Sequence, residues 1–330
     1  MNTITSRADV RAAARPRDFL QRAAVSLFFL IMIVVFEIIS RKYLSLENIK
    51  SIVTQASMLG IIACGMTVVM MTGGADMSVG SVAGLTAICG LWFVVNDGLP
   101  LPVGIALGLA AGAAIGFING LCVSRLGIAP FVATLGTMFL GQGLQYMVSE
   151  GGMALSYGFP KEYLFLGTGN VAGVPMPIVV FALIFAVMLF LTESSPVGRY
   201  LKATGCNQFA AELSGVKIRK YTLISYVLSA LLAGVLGLIL GASQQYISPT
   251  LGDSFLMDSL IVALLGKALF DERISMQGTL FGALFLRFFE NGLSMVGMPV
   301  TVLNILKGAL LVGILLINLA RKRRAERRAT

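Results

Sequence analysis

Ten apolar runs, most of them close to twenty residues long, divide this chain at residues 23–40, 50–71, 79–95, 102–122, 131–148, 176–192, 222–241, 257–270, 277–296 and 300–319. A helix needs about 20 residues to cross ~30 Å of hydrocarbon. Backbone groups in lipid must find their partners internally, so runs of this kind are read as helices. The fold class that follows is all-α: a polytopic membrane protein with about ten transmembrane helices. The eighth run is short and reads as a partial or re-entrant segment. Only 41 of the 330 residues are charged, which is 12%, against about a quarter in a soluble domain. The first run, Ala23 to Ser40, exceeds a signal core and has no small-residue cleavage site after it, so it reads as a span.

Lysine and arginine orient the spans. With the N-terminus inside, 19 of them fall in cytoplasmic segments and 4 (Arg41, Lys42, Lys50 and Lys161) in outside segments. That bias obeys the positive-inside rule and places both termini in the cytoplasm. The chain then divides into a basic tail (1–22), a transmembrane domain (23–320) with one long cytoplasmic loop (193–221), and a second basic tail (321–330). The net charge of +9 belongs to these membrane flanks and does not indicate nucleic-acid binding.

Catalytic chemistry finds no footing. The chain has no histidine, no Cys-x-x-Cys pair and no G-x-x-x-x-G-K-[ST] phosphate loop. Histidine-based triads are therefore excluded, and neither a structural zinc site, a redox dithiol nor ATP hydrolysis by this chain is expected. The segment "GTGNVAG" (Gly167 to Gly173) lacks a preceding strand and reads as a loop.

Four features remain. In the fourth span Gly104, Gly108, Gly112, Gly116 and Gly120 recur every four residues, which makes a smooth groove for close helix packing. Between the second and third spans stands "MMTGGADMSVGSVAG" (Met70 to Gly84). Gly73 and Gly74 are expected to break the helix there, and Asp76 or Ser78 to cap the next one. An aspartate within the bilayer should face protein or water, so Gly73, Gly74, Asp76, Ser78 and Gly80 are candidates for a substrate path as well as a helix break. At Gly74 a β-branched residue is expected to resist positive φ and to block close approach. "SPTLGDSFLMDSLIVALLG" (Ser248 to Gly266) faintly echoes this stretch five spans later, as a 5+5 inverted repeat would require. Third, the loop "TESSPVGRYLKATGCNQFAAELSGVKIRKY" (Thr192 to Tyr221) holds a short helix capped by Asn207 and stopped by Gly215, with Ala210 and Ala211 at its centre. It reads either as a docking element or as a solvated connector. Last, Arg287 and Glu290 stand three apart on one helical face, and Lys307 needs Glu290 or Asp258 as its partner.

"LGIIACGMTVVMMTGGADMSVGS" (from Leu59), "APFVATLGTMFLGQGL" (from Ala129), "GRYLKATGCNQFAAELSGVKIRK" (from Gly198) and "LKGALLVGILLI" (from Leu306) follow one another in the order seen in permease subunits of bacterial ribose/xylose-type ABC sugar importers, which this chain resembles over roughly residues 43–320. The resemblance implies a permease that moves a monosaccharide or related polyol-like solute across the bacterial inner membrane. It implies three partners: a cytoplasmic ABC ATPase, an extracytoplasmic sugar-binding protein, and a second permease subunit, identical or not. ATP is used by the ATPase, and no cofactor is bound by this chain. Gly198, Arg199, Gly205, Asn207, Ala210, Ala211, Ser214 and Gly215 carry the family's coupling-loop pattern, so the ATPase is expected to dock there. Two departures bear on the partner: "GKALFDERISMQGT" (Gly266 to Thr279) replaces a glycine-rich turn, and Gln208 and Phe209 replace a common acidic pair. The alternative is a secondary, ion-coupled transporter, which also uses broken helices.

Overall fold

The computed structural model of the chain describes residues 16–269 and 274–329, with side chains over 27–267, 274–316 and at Leu319. The first fifteen residues of the N-terminal tail, Phe270 to Arg273, and the side chains of the C-terminal basic tail lie outside the described residues. Among the described residues thirteen α-helices follow: α1 (Pro16–Ser40), α2 (Leu46–Met71), α3 (Val79–Asn96), α4 (Leu101–Ser124), α5 (Pro130–Val148), α6 (Lys161–Thr168), α7 (Met176–Leu189), α8 (Pro196–Cys206), α9 (Gln208–Leu213), α10 (Ile218–Gln244), α11 (Asp253–Leu269), α12 (Met276–Met295) and α13 (Val300–Ala329). The apolar runs fall on α1–α5, α7 and α10–α13, and a π-helical turn (Phe190–Ser194) completes α7. Among the described residues, five helices are long and apolar enough to cross a membrane: α2, α3, α4, α7 with its π turn, and α10. The expected loop at Gly167 to Gly173 includes the end of α6 and enters a two-strand hairpin of β1 (Asn170–Val171) and β2 (Val174–Pro175).

Proline opens α4, α5, α7 and α8, where its missing N–H has no intrahelical partner to lose. The centre of the bundle is α2, apolar on every side and enclosed by α7, α10, α11 and α12. A helix hydrophobic all round belongs inside. Helix α3 packs among α4, α5 and α10.

The glycine ladder explains how α4 approaches both α3 and α10. All five glycines are buried. A Cβ at Gly104 would collide with the carbonyl of Gly90 on α3, and one at Gly112 would lie 2.6 Å from Thr86 Oγ1. One at Gly116 would lie 2.7 Å from the Tyr226 carbonyl, and one at Gly120 2.9 Å from Leu223 Cα, both on α10. Lipid tails are as apolar as leucine, so close backbone contact of this kind, and not water exclusion, holds such helices together.

Ion pairs tie the last three helices. Lys307 Nζ on α13 lies 2.8 Å from Asp258 Oδ1 on α11 and 2.5 Å from Glu290 Oε1 on α12. Arg287 NH2 lies 3.0 Å from Asp258 Oδ2, and Arg287 also pairs with Glu290 one helical turn away. Lys307 thus takes both of its candidate partners, and two cations balance two anions. Lys307→Met leaves one uncompensated carboxylate in this cluster. Breaking a buried pair from one side costs about 3–5 kcal/mol, so the variant is expected to unfold at a clearly lower temperature in detergent, with Lys307→Arg much closer to the parent. Equal melting of all three proteins would show the cluster to be energetically idle.

Candidate functional site

Helix α2 ends at Met71 and is capped by Thr72, and the chain then turns at Gly73, whose φ of +86° is the left-handed conformation that glycine adopts without steric cost. Its N–H donates to the Met70 carbonyl at 3.1 Å, and that of Gly74 to the Val69 carbonyl at 3.3 Å. The positive φ expected at Gly74 therefore belongs to Gly73. Gly74 is restricted by space instead: a Cβ there would lie 2.5 Å from Tyr226 Oη and 3.2 Å from Val69 Cγ1. Gly80 is limited in the same way, by the Gly252 carbonyl at 2.9 Å.

Asp76 is 1% exposed and works as an acceptor on both oxygens. Its Oδ1 takes the Ser78 N–H at 2.9 Å and the Ser78 hydroxyl at 2.6 Å, and its Oδ2 takes the Ser229 hydroxyl from α10 at 2.9 Å. Ser78 makes no side-chain cap for α3, so of the two capping candidates Asp76 receives the backbone donor. Ser78 Oγ in turn accepts from Asn119 Nδ2 on α4 at 2.9 Å, and Asn119 Oδ1 accepts from Thr137 on α5 at 2.6 Å. The Met77 N–H donates to Thr134 Oγ1 at 3.0 Å. The break is thereby bonded to α4, α5 and α10, and every polar group named here has a partner, as burial demands.

The long loop contains two helices, α8 and α9. Ser195 caps α8 through the Val197 N–H at 3.1 Å. Gly198 is buried, with Thr192 backbone where its Cβ would stand, while Arg199 is exposed. Asn207 Oδ1 accepts the Ala210 N–H at 3.0 Å, and the Ser214 hydroxyl returns to the Ala210 carbonyl at 2.8 Å. Gly215, with φ of +80°, ends α9: its N–H meets the Glu212 carbonyl at 2.9 Å, and that of Val216 meets the Ala211 carbonyl at 3.0 Å. This pair of bonds is a Schellman stop.

One expectation needs correcting. Ala210 is exposed, but Ala211 is 6% exposed and turned into the bundle, so it is not available to a partner. The outward face carries Phe209 and Leu213 instead, 72% and 76% exposed. Their spacing of four, in "QFAAEL", puts them on one face, and only the fold shows that this face turns outward.

The break and the loop meet. A Cβ on Gly205 would collide with the Met71 carbonyl and lie 3.0 Å from the Gly73 nitrogen. A cavity of about 260 Å³ opens beside this contact, lined by Gly73, Gly74, Ser124, Gln208, Thr222 and Tyr226 among others. Among the described residues no His, Cys, Asp or Glu side chains gather as a metal site would require.

Residues 48–315 match the family described as branched-chain amino acid transport system / permease component. The ribose import permease protein RbsC of Haemophilus influenzae is 35% identical over 83% of this chain and 85% of its own length. That of Bacillus subtilis is 32% identical over 90% and 92%. The autoinducer 2 import system permease protein LsrD of Enterobacter sp. is 33% identical over 77% and 79%. A metal-chelate type ABC transporter solved in an inward-facing conformation shares the fold at a TM-score of 0.52 and 16% identity, across 91% of this chain and 99% of that one. The chain belongs to the branched-chain amino acid transport system / permease component family, and it is the membrane permease of an ABC import system and not itself an enzyme.

Proposed function

We propose that this permease imports a monosaccharide or related polyol-like solute across the bacterial inner membrane, through about ten spans with both termini in the cytoplasm. A separate ATPase subunit binds and hydrolyses the ATP, and the permease itself carries no cofactor. An extracytoplasmic binding protein delivers the solute, and a second permease subunit, identical or related, completes the pathway. The relatives named for ribose and autoinducer 2 import support a hydroxyl-rich substrate. The 5+5 inverted repeat and the division into tail (1–22), permease domain (23–320) and tail (321–330) are part of the same proposal. Orientation is checked with a membrane-impermeant thiol reagent on intact cells. It should label a cysteine placed at Lys161 and spare the exposed Cys206, and the reverse pattern would overturn this topology.

The observation that carries the reading is α9, a capped single-turn helix that presents Phe209 and Leu213 outward. Large exposed apolar side chains at the centre of a small surface are what a docking partner buries. Phe209→Arg or Leu213→Arg should therefore cut co-purification of the ATPase and solute uptake by about tenfold or more, with membrane insertion retained. Normal uptake by both would make α9 a connector only. Ala211→Arg is no test of docking, because it disrupts the bundle beneath.

A further inference from the structure

The connection between α10 and α11 is a second break, and its polar groups are not used up by the fold. The Gly252 carbonyl lies against Gly80 and the Pro249 carbonyl against Gly84. At 1.5 Å per residue those α3 positions stand about 18–24 Å along the helix from its end at Asn96. The connection thus reaches deep into the bundle, and α11, 17 residues long, begins there.

On this connection Gln244, Gln245, Thr250 and Ser254 are exposed, and Tyr246 is 43% exposed. Asp253 is half-buried beside Gln142 of α5, also half-buried. The neighbouring outer surface of α5 is apolar and smooth: Phe139 and Met147 are exposed, and a Cβ at Gly136 or Gly143 would touch nothing. Uncovered carboxylate, amide and hydroxyl groups at this depth are costly against lipid. They need water or a polar ligand. Asp76 at the first break is the contrast, since it is 1% exposed and both its oxygens are occupied from within.

We propose that the α10–α11 break, with Asp253 and Gln142 at its centre and Thr250 and Ser254 beside them, is the surface that hydrogen-bonds the transported neutral, hydroxyl-rich solute. This rests on the sugar-import reading and names the solute-facing wall within it. The carboxylate accepts from solute hydroxyls, the amide both donates and accepts, and the two hydroxyls do the same. One protomer supplies one wall, and the second permease subunit faces it across the pathway. The first break then serves to hold helices in register, and the second to touch the solute.

The test uses the permease reconstituted with its ATPase and binding protein in proteoliposomes, with radiolabelled D-ribose as probe. Asp253→Asn and Gln142→Ala should each lower the uptake rate at saturating binding protein by about tenfold, normalised to assembled complex. Normal uptake by both overturns the proposal. Independently, Ser254→Cys is treated with a charged, water-soluble thiol reagent, and modification is read residue by residue by mass spectrometry. Modification at position 254 that D-ribose slows during turnover is the expected result. No modification means that lipid or a second copy covers this face, and also overturns the proposal. If the parent protein takes up no ribose, the choice of substrate fails first. Reactivity at position 254 then still decides whether the surface is water-facing, and an unreactive cysteine overturns the inference on its own.

Discussion

Gly205→Val will abolish solute uptake while the ATPase subunit continues to co-purify. Gly205 is the point where the α8–α9 segment touches the broken end of α2, and its missing Cβ leaves room for the Met71 carbonyl and the Gly73 nitrogen. Phe209 and Leu213, the side chains proposed to meet the ATPase, lie on the following helix, so docking and the α2 contact are separable. A valine must push the two backbones apart, and overpacking of this kind costs about 1–3 kcal/mol. In a rigid joint that strain appears as lost register between α9 and the Asp76 network. Uptake and ATPase co-purification, measured on the same membranes, give the comparison. Loss of uptake with the ATPase still bound places Gly205 in the transmission between them. Gly205→Ala should fall between valine and the parent, because a single methyl needs a smaller shift. Normal uptake by the valine variant would mean that the contact tolerates movement and transmits nothing.

The helices were legible because each depends on a local run of residues. Ten apolar stretches became ten helices, and Asn207 and Gly215 bounded α9, since caps and stops act over three or four residues. The every-fourth glycines of α4 also announced close packing, though which helices would enter the groove was not written in them. What stayed hidden was direction and distance. A helix of six residues is too short for periodicity to say which of Ala210 and Ala211 faces inward. Adjacent glycines look alike, so only the folded backbone distinguishes Gly73, which needs positive φ, from Gly74, which needs space beside Tyr226. Asp76 could be named as buried or solute-facing, but its deciding partner, Ser229, is 153 residues away. Lys307 likewise meets Asp258 across 49 residues. The α10–α11 segment resembles the first break in sequence. Its importance lies in what the fold leaves uncovered there, and exposure is a property of packing that no local pattern encodes.

Asp76 gives the sharpest contrast between two substitutions at one site. In Asp76→Asn the amide oxygen can keep both Ser78 donors, and the new NH₂ can donate to Ser229, whose hydroxyl is free to rotate and accept. Asparagine also caps about as well as aspartate. Uptake by Asp76→Asn, normalised to assembled complex, should therefore remain close to that of the parent. Asp76→Ala removes the acceptor from three donors at once: the Ser78 N–H, the Ser78 hydroxyl and the Ser229 hydroxyl. Each buried polar group left without a partner costs about 1–3 kcal/mol, and all three sit where α2, α3 and α10 meet. Partial relief is available to the hydroxyls, which can turn toward nearby carbonyls, but none is available to the backbone N–H. Loss of assembled protein on the scale of several kcal/mol is the expected result for alanine, read as a lower melting temperature and yield in detergent. Asp76→Asn that assembles and hydrolyses ATP but imports nothing would assign the carboxylate to the solute route after all, and would move the solute-facing wall from the second break back to the first.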